Sequence, residues 1–170
     1  MMSRRTLNSM ALAFAALVLG ALLLASPARA QESIVIELPA TQLIDGRVLD
    51  PTHFQGKAVL VLMWATWCPN CLASLPHHAR LYDAYRDKGY ELLALSVDED
   101  AADVRDFLAS NPYGFPVAMR TTAHRAVLGS IVGTPTLILL ARDGRVAWRH
   151  LGEARFEEIE FQLQSVLERQ

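Results

Sequence analysis

The chain has 170 residues, 16 basic against 18 acidic for a net charge of −2, a 52% apolar composition and two cysteines. No lysine or arginine cluster lies beyond residue 30, which excludes a basic nucleic-acid-binding surface. The two cysteines stand three positions apart, unlike those of a disulfide-stapled scaffold, where more would be spread along the chain.

Arg4 and Arg5 give a positive start, Met10 to Ala25 is an uninterrupted apolar run, and Ser26, Pro27 and Ala28-Arg29-Ala30 follow as small residues in an A-x-A pattern. That layout predicts a secretory signal peptide over residues 1–30, cleaved after Ala30, and a periplasmic location. The apolar run falls short of the roughly 20 residues that span a bilayer, so an uncleaved N-terminal anchor facing the periplasm is the less favoured alternative. Ser3-Arg4-Arg5-Thr6-Leu7 partly matches a twin-arginine export signal, and the export route stays open. Residues 31–170, 140 in number, suit one domain with its own core. Without the three leader arginines, 13 basic residues face 18 acidic ones, a net charge of −5.

Gln31 to Ser33 is a lead-in. Gln42 to Leu49 reads as two short strands around the Asp45-Gly46 turn. Pro51 to Gly56 is a connection with room for one helical turn. Ala58 to Trp64 is continuously apolar, the pattern of a strand buried on both faces. Leu72, Leu75, Ala79, Leu81, Tyr82 and Tyr85 recur at helical spacing up to Lys88, with Gly89 as the stop and Pro76 as a kink. Glu91 to Val97 is a second buried strand. Ala101 to Ser110 is a helix that starts among Asp98, Glu99, Asp100 and Asp103, where acids suit the helix dipole. Phe115 to Met119 is a short strand and Thr122 to Leu128 a short helix. Thr136 to Ala141 and Val146 to His150 form a hairpin about Asp143-Gly144. Arg155 to Leu167 is a closing helix whose apolar stripe is Phe156, Ile159, Leu163, Val166 and Leu167. The order predicts an α/β fold: a central mixed sheet with helices on both faces, and an N-terminal β-hairpin extension. Ligand chemistry in such sheets collects at the carboxyl ends of the strands, just before Cys68.

Cys68 and Cys71, in Trp67-Cys68-Pro69-Asn70-Cys71, are the candidate catalytic pair. A bridge over so small a loop restricts the unfolded chain little, so reactivity explains the pair better than stability. Cys68 falls at the helix N-terminus, where unpaired N–H groups and the dipole stabilise a thiolate, the nucleophile of disulfide exchange. Cys71, one turn on, can attack a mixed disulfide made by Cys68. Pro69 suits a helix start, where a missing N–H costs nothing.

Three other roles compete. Zinc would need further ligands, and His77 and His78 lie about 9–10 Å along the helix from Cys71, too far to close one site. An inert structural disulfide is the second. Copper(I) held by two soft thiolates, or a partner-docking module on the same fold, is the third. His77 and His78 read as solvated surface.

Ala58 to Cys71, Pro76, Gly133-Thr134-Pro135-Thr136, the run Leu137 to Leu140 and Asp143-Gly144 together resemble the thioredoxin superfamily, and within it the TlpA/ResA/CcmG-like exported group. The resemblance implies a thioredoxin-like domain over residues 31–170 and a protein thiol–disulfide oxidoreductase that needs no cofactor or metal. It implies that Cys68 attacks and Cys71 resolves, that Trp67 and Pro69 flank the attacking thiol, and that Pro135 is a cis-proline facing the disulfide. Thr134 would then offer its backbone to the substrate chain. The implied partner is a specific exported protein with a thiol or disulfide, such as apocytochrome c or a copper-site protein of a terminal oxidase. A membrane electron donor would keep the pair reduced. Two positions depart from the pattern: Leu62 stands where thioredoxins carry a buried Asp, and Ser74 where many relatives carry a Glu. Both acids are tied to proton transfer at the second thiol, so the acceptor for Cys71 is unassigned. A peroxidase of the related peroxiredoxin type would want a lone activated cysteine and is disfavoured.

Overall fold

The computed structural model describes residues 34–169. The predicted leader, its cleavage point and the lead-in to Ser33 lie outside them. The elements are β1 (Thr41–Gln42), β2 (Val48–Leu49), a 3-10 turn (Pro51–Phe54), β3 (Ala58–Trp64), α1 (Pro69–Tyr85), a 3-10 turn (Arg86–Lys88) and β4 (Tyr90–Ser96). There follow α2 (Ala101–Ser110), β5 (Val117–Met119), α3 (Thr122–Leu128), β6 (Thr136–Leu140), β7 (Val146–Leu151) and α4 (Phe156–Leu167). Five strands form one mixed sheet in the order β5-β4-β3-β6-β7. β3 runs parallel to β4 and antiparallel to β6, as the sequence order predicts.

All seven residues of β3 are buried because both faces of the sheet are covered. Leu60, Leu62 and Trp64 face a core closed by Leu75 and Leu81 of α1, Val104 of α2, and Ile159, Leu163 and Val166 of α4. Val59, Val61 and Met63 face the other side, closed by Leu128 of α3 and by Ile36, Leu38, Leu43, Leu49 and Phe54 of the N-terminal segment. Burying one such aliphatic side chain contributes roughly 1.5–3 kcal/mol. The β1–β2 hairpin lies against the β5 edge, through a Leu43–Ala118 bridge and the Ile44 N–H bonded to the Val117 carbonyl at 2.9 Å. An exposed edge is thereby covered.

Element ends shift for local reasons. β5 starts at Val117 rather than Phe115, because Pro116 has no N–H for the ladder. α1 closes through the 3-10 turn onto Gly89 at φ 86°, and a Cβ there would stand 2.7 Å from Arg142 Nη1. Glu91, buried in β4, is paired: its Oε2 lies 2.6 Å from His53 Nε2 and 3.3 Å from Lys57 Nζ. A buried carboxylate needs such partners.

His77 is exposed as expected, but His78 is not solvated: it is 2% exposed, and its Nδ1 has no hydrogen-bond partner. It stands two turns beyond Cys71 on the inward face of α1, and burial lowers its pKa from 6.5 to about 4. His124 is buried too, but bonded at both nitrogens. Nδ1 accepts the Thr121 N–H at 3.1 Å, which leaves the ring proton on Nε2, donated to Thr41 Oγ1 at 3.0 Å. Desolvation, then the charge of Arg120, lowers its pKa as well.

Between pH 6.5 and about 4 the unfolded chain binds a proton at His78 that the folded chain refuses. Stability is therefore full above pH 6.5 and falls as the pH drops through that window, by on the order of 3 kcal/mol from this residue. Urea unfolding followed against pH checks this: His78→Leu flattens the acid limb relative to the unsubstituted protein, and identical limbs would refute the assignment.

Candidate active site at the end of strand β3

Strand β3 ends at Trp64, and the chain turns through Ala65, Thr66 and Trp67 before α1 begins. The turn is closed by the Cys68 N–H donating to the Ala65 carbonyl at 3.2 Å. Cys68 is the N-cap of α1, with extended φ −96° and ψ 104°, and Pro69 follows at the first helical position. The Cys71 N–H points at Cys68 Sγ, 3.3 Å away, so the sulfur takes the place that a Ser or Asp oxygen usually fills at a helix start. The dipole and that N–H both favour negative charge on Cys68 when the bond is reduced. The two cysteines are joined as a disulfide with their Cα atoms 5.2 Å apart. Cys68 is at the rim, 5% exposed, and Cys71 is fully buried among core residues.

Opposite Cys68 stands the Thr134–Pro135 loop, whose peptide bond is cis. The Thr134 carbonyl oxygen lies 3.7 Å from Cys68 Sγ. The loop is held by Thr136 Oγ1 donating to the Gly133 carbonyl at 2.7 Å and by the Gly152 N–H donating to the Pro135 carbonyl at 2.8 Å. Trp67 beside Cys68 is 66% exposed, and Val132 and Leu151 flank the loop as further exposed apolar side chains. Of the six residues singled out in the sequence, Cys68, Cys71, Pro69 and Thr134 meet around the disulfide. Trp67 adjoins it in the exposed turn and Pro135 is buried behind Thr134.

The two departures from the family pattern are visible as contacts. Leu62 is fully buried in the same core as Cys71. Ser74 donates its hydroxyl to the Cys71 carbonyl at 2.8 Å, not to sulfur. Among the described residues the polar groups that meet the two sulfurs are backbone ones, the Cys71 N–H and the Thr134 carbonyl. His78 is seven residues past Cys71, about 10 Å of helix rise, beyond direct proton transfer. Among the described residues no three His, Cys, Asp or Glu side chains gather as a metal site, and no helix is long and apolar enough to cross a membrane.

One group was missed in the sequence. Asp98, read there as one of several acids ahead of α2, is 7% exposed and folds back onto Thr66. Its only sequence signal is position: two residues past the end of β4, as Thr66 is two past the end of β3.

Comparison with known proteins matches this geometry. The Redoxin family profile covers residues 36–163. The chain is 32% identical to a thiol-disulfide oxidoreductase ResA of Bacillus cereus, over 72% of this chain and 71% of that one. It is 28% identical to ResA of Bacillus subtilis (strain 168), over 60% of this chain and 57% of that one. Among solved structures, a thioredoxin family thiol:disulfide interchange protein from Chlorobium tepidum TLS superposes with a TM-score of 0.75 at 21% identity, covering 80% of this chain and 97% of that one. A chain described as a thiol:disulfide interchange protein DsbE, also from Chlorobium tepidum, gives 0.68 at 29% identity, covering 78% and 96%.

The burial difference between the two sulfurs predicts an order of labelling. In the reduced folded protein at neutral pH, iodoacetamide is expected to label Cys68 first and Cys71 only after unfolding. Mass spectrometry with peptide fragmentation across residues 58–80 reads the order, and equal labelling would remove Cys68 as the more accessible thiol.

Proposed function

The chain belongs to the Redoxin family and is a thiol–disulfide oxidoreductase of the ResA type, and on that footing we propose that it exchanges electrons with one specific exported protein through Cys68 and Cys71. Residues 1–30 act as a cleaved signal peptide and residues 31–170 as the periplasmic domain. Working as a reductant, the Cys68 thiolate attacks the partner's disulfide. A mixed disulfide forms and one partner thiolate leaves. The Cys71 thiolate then attacks Cys68 Sγ, the second partner thiol is released, and the Cys68–Cys71 disulfide remains. Two electrons pass to the partner, and a membrane electron donor returns the pair to the dithiol. Trp67, Pro69, Thr134 and Pro135 make up the partner-binding site: the first three meet the partner, and the buried Pro135 sets the turn that presents the Thr134 backbone. Apocytochrome c and a copper-site protein of a terminal oxidase are the partner types that fit such a role.

The observation that carries this reading is the asymmetry of the pair: Cys68 Sγ is at a helix N-terminus opposite the Thr134 carbonyl, while Cys71 is fully buried behind it. An attacking thiol must reach a partner, and a resolving thiol must reach only Cys68.

Cys71→Ala leaves Cys68 without its resolving thiol and should accumulate mixed disulfides with the partner in the periplasm of the native host. Cys68→Ala should accumulate none. Copper(I) titration of the reduced protein separates the competing role: tight binding together with negligible disulfide exchange would overturn the proposal.

A further inference from the structure

Asp98 is a buried carboxylate with no cation within 4.0 Å among the described residues. A charge so placed is costly unless hydrogen bonds satisfy it. Its bonds run in one direction. Oδ1 and Oδ2 share the Thr66 N–H at 3.2 and 3.1 Å, and Oδ1 also accepts the Thr66 hydroxyl at 2.6 Å. Ser96 donates its hydroxyl to Oδ2, and Ser96 Oγ in turn accepts the Asp98 N–H at 2.9 Å. Ser96 ends β4, so it fixes the carboxylate to the sheet. Thr66 is two residues before Cys68, so the carboxylate fixes the turn that carries Trp67 and Cys68. Bonds to a charged acceptor are shorter and about twice as strong as neutral ones, and here two of them grip one residue by main chain and side chain together.

We propose that Asp98 is a positioning residue of thiol–disulfide exchange: through Thr66 it holds the Trp67–Cys68 turn so that Cys68 Sγ stays at the helix N-terminus and opposite the Thr134 carbonyl. Among the described residues, the Ala65–Trp67 turn has one other hydrogen-bonded tie, the Cys68 N–H to the Ala65 carbonyl. Without the clamp the turn that carries Trp67 would keep that one hydrogen bond. Sub-ångström placement of a reacting atom has large effects on rate, so the consequence belongs to exchange kinetics and not to stability alone.

The inference rests on Cys68 as the attacking thiol, and Cys68→Ala run alongside tests that point separately. Residues 31–170 or the full chain, fully reduced, are mixed with oxidised glutathione, and the exchange rate is measured well below the melting temperature. Asp98→Asn and Thr66→Val should each slow exchange by about tenfold. Thr66→Ser, which keeps the hydroxyl, should recover the rate. The double variant Asp98→Asn with Thr66→Val should be no slower than the slower single one, because both act through one clamp. A carboxylate serving stability alone lowers the melting temperature of Asp98→Asn but leaves the folded protein's exchange rate unchanged, which overturns the proposal. So does an unslowed Thr66→Val, or two losses that multiply in the double variant. If Asp98→Asn does not fold, as read by circular dichroism, the Thr66→Val and Thr66→Ser pair decides the question.

Discussion

Strand β3 is buried on both faces and bonded along both edges, and its register determines what can stand beside its end. Trp64 pairs with Ser96 on one side and Met63 with Thr136 on the other. The chain leaving β3 must therefore pass between the chain leaving β4 and the chain entering β6. The first brings Asp98 to Thr66, and the second brings Thr134 to Cys68. A slip of one residue would send the buried set of β3 to the wrong faces, and the two packed cores forbid it. The site is thus an outcome of sheet packing. No cysteine-specific feature is needed to bring its parts together.

Within that frame the electrostatics are simple. Cys68 is the N-cap of α1, and apart from its bond to Cys71 the polar groups that meet its sulfur among the described residues are backbone ones. The helix dipole acts strongly within the first turn, where Cys68 lies and where no acidic side chain opposes it. Cys71 is one turn in and fully buried, with Leu62 in the same core and the Ser74 hydroxyl bonded to the Cys71 carbonyl. The two sulfurs therefore differ by position: Cys68 caps the helix at the rim of the core and Cys71 is sealed beneath it. That difference in position supports the proposed order of attack, and among the described residues no carboxylate meets either sulfur.

The fold was legible in the sequence wherever periodicity carries it. Ala58 to Trp64 reads as a strand buried on both faces because seven consecutive apolar residues have no other use, and α2 and α3 fall on the predicted residues. The cysteine pair and the Thr134–Pro135 loop were legible as motifs. What periodicity cannot carry is contact between ends of different strands. Asp98 and Thr66 are 32 residues apart, and only the register of β3 against β4 makes them neighbours.

His78 was misread as solvated and Asp98 passed over for the same physical reason: residue type outweighed position. His78 is seven residues beyond Cys71 and three beyond Leu75, so it lies on the stripe of α1 that faces the sheet. A polar side chain on that stripe is buried whatever its chemistry, and it remains neutral to be tolerated there. Asp98 stands among Glu99 and Asp100, which are exposed, and Asp100 caps α2 through the Ala102 N–H as an acid at a helix start should. Asp98 differs only in still being tied to the end of β4, where the next strand over delivers two donors to it. Position on an element decides whether a side chain is buried; chemistry then decides what must meet it. For a carboxylate that is a set of donors, and here those donors belong to the turn that carries Cys68.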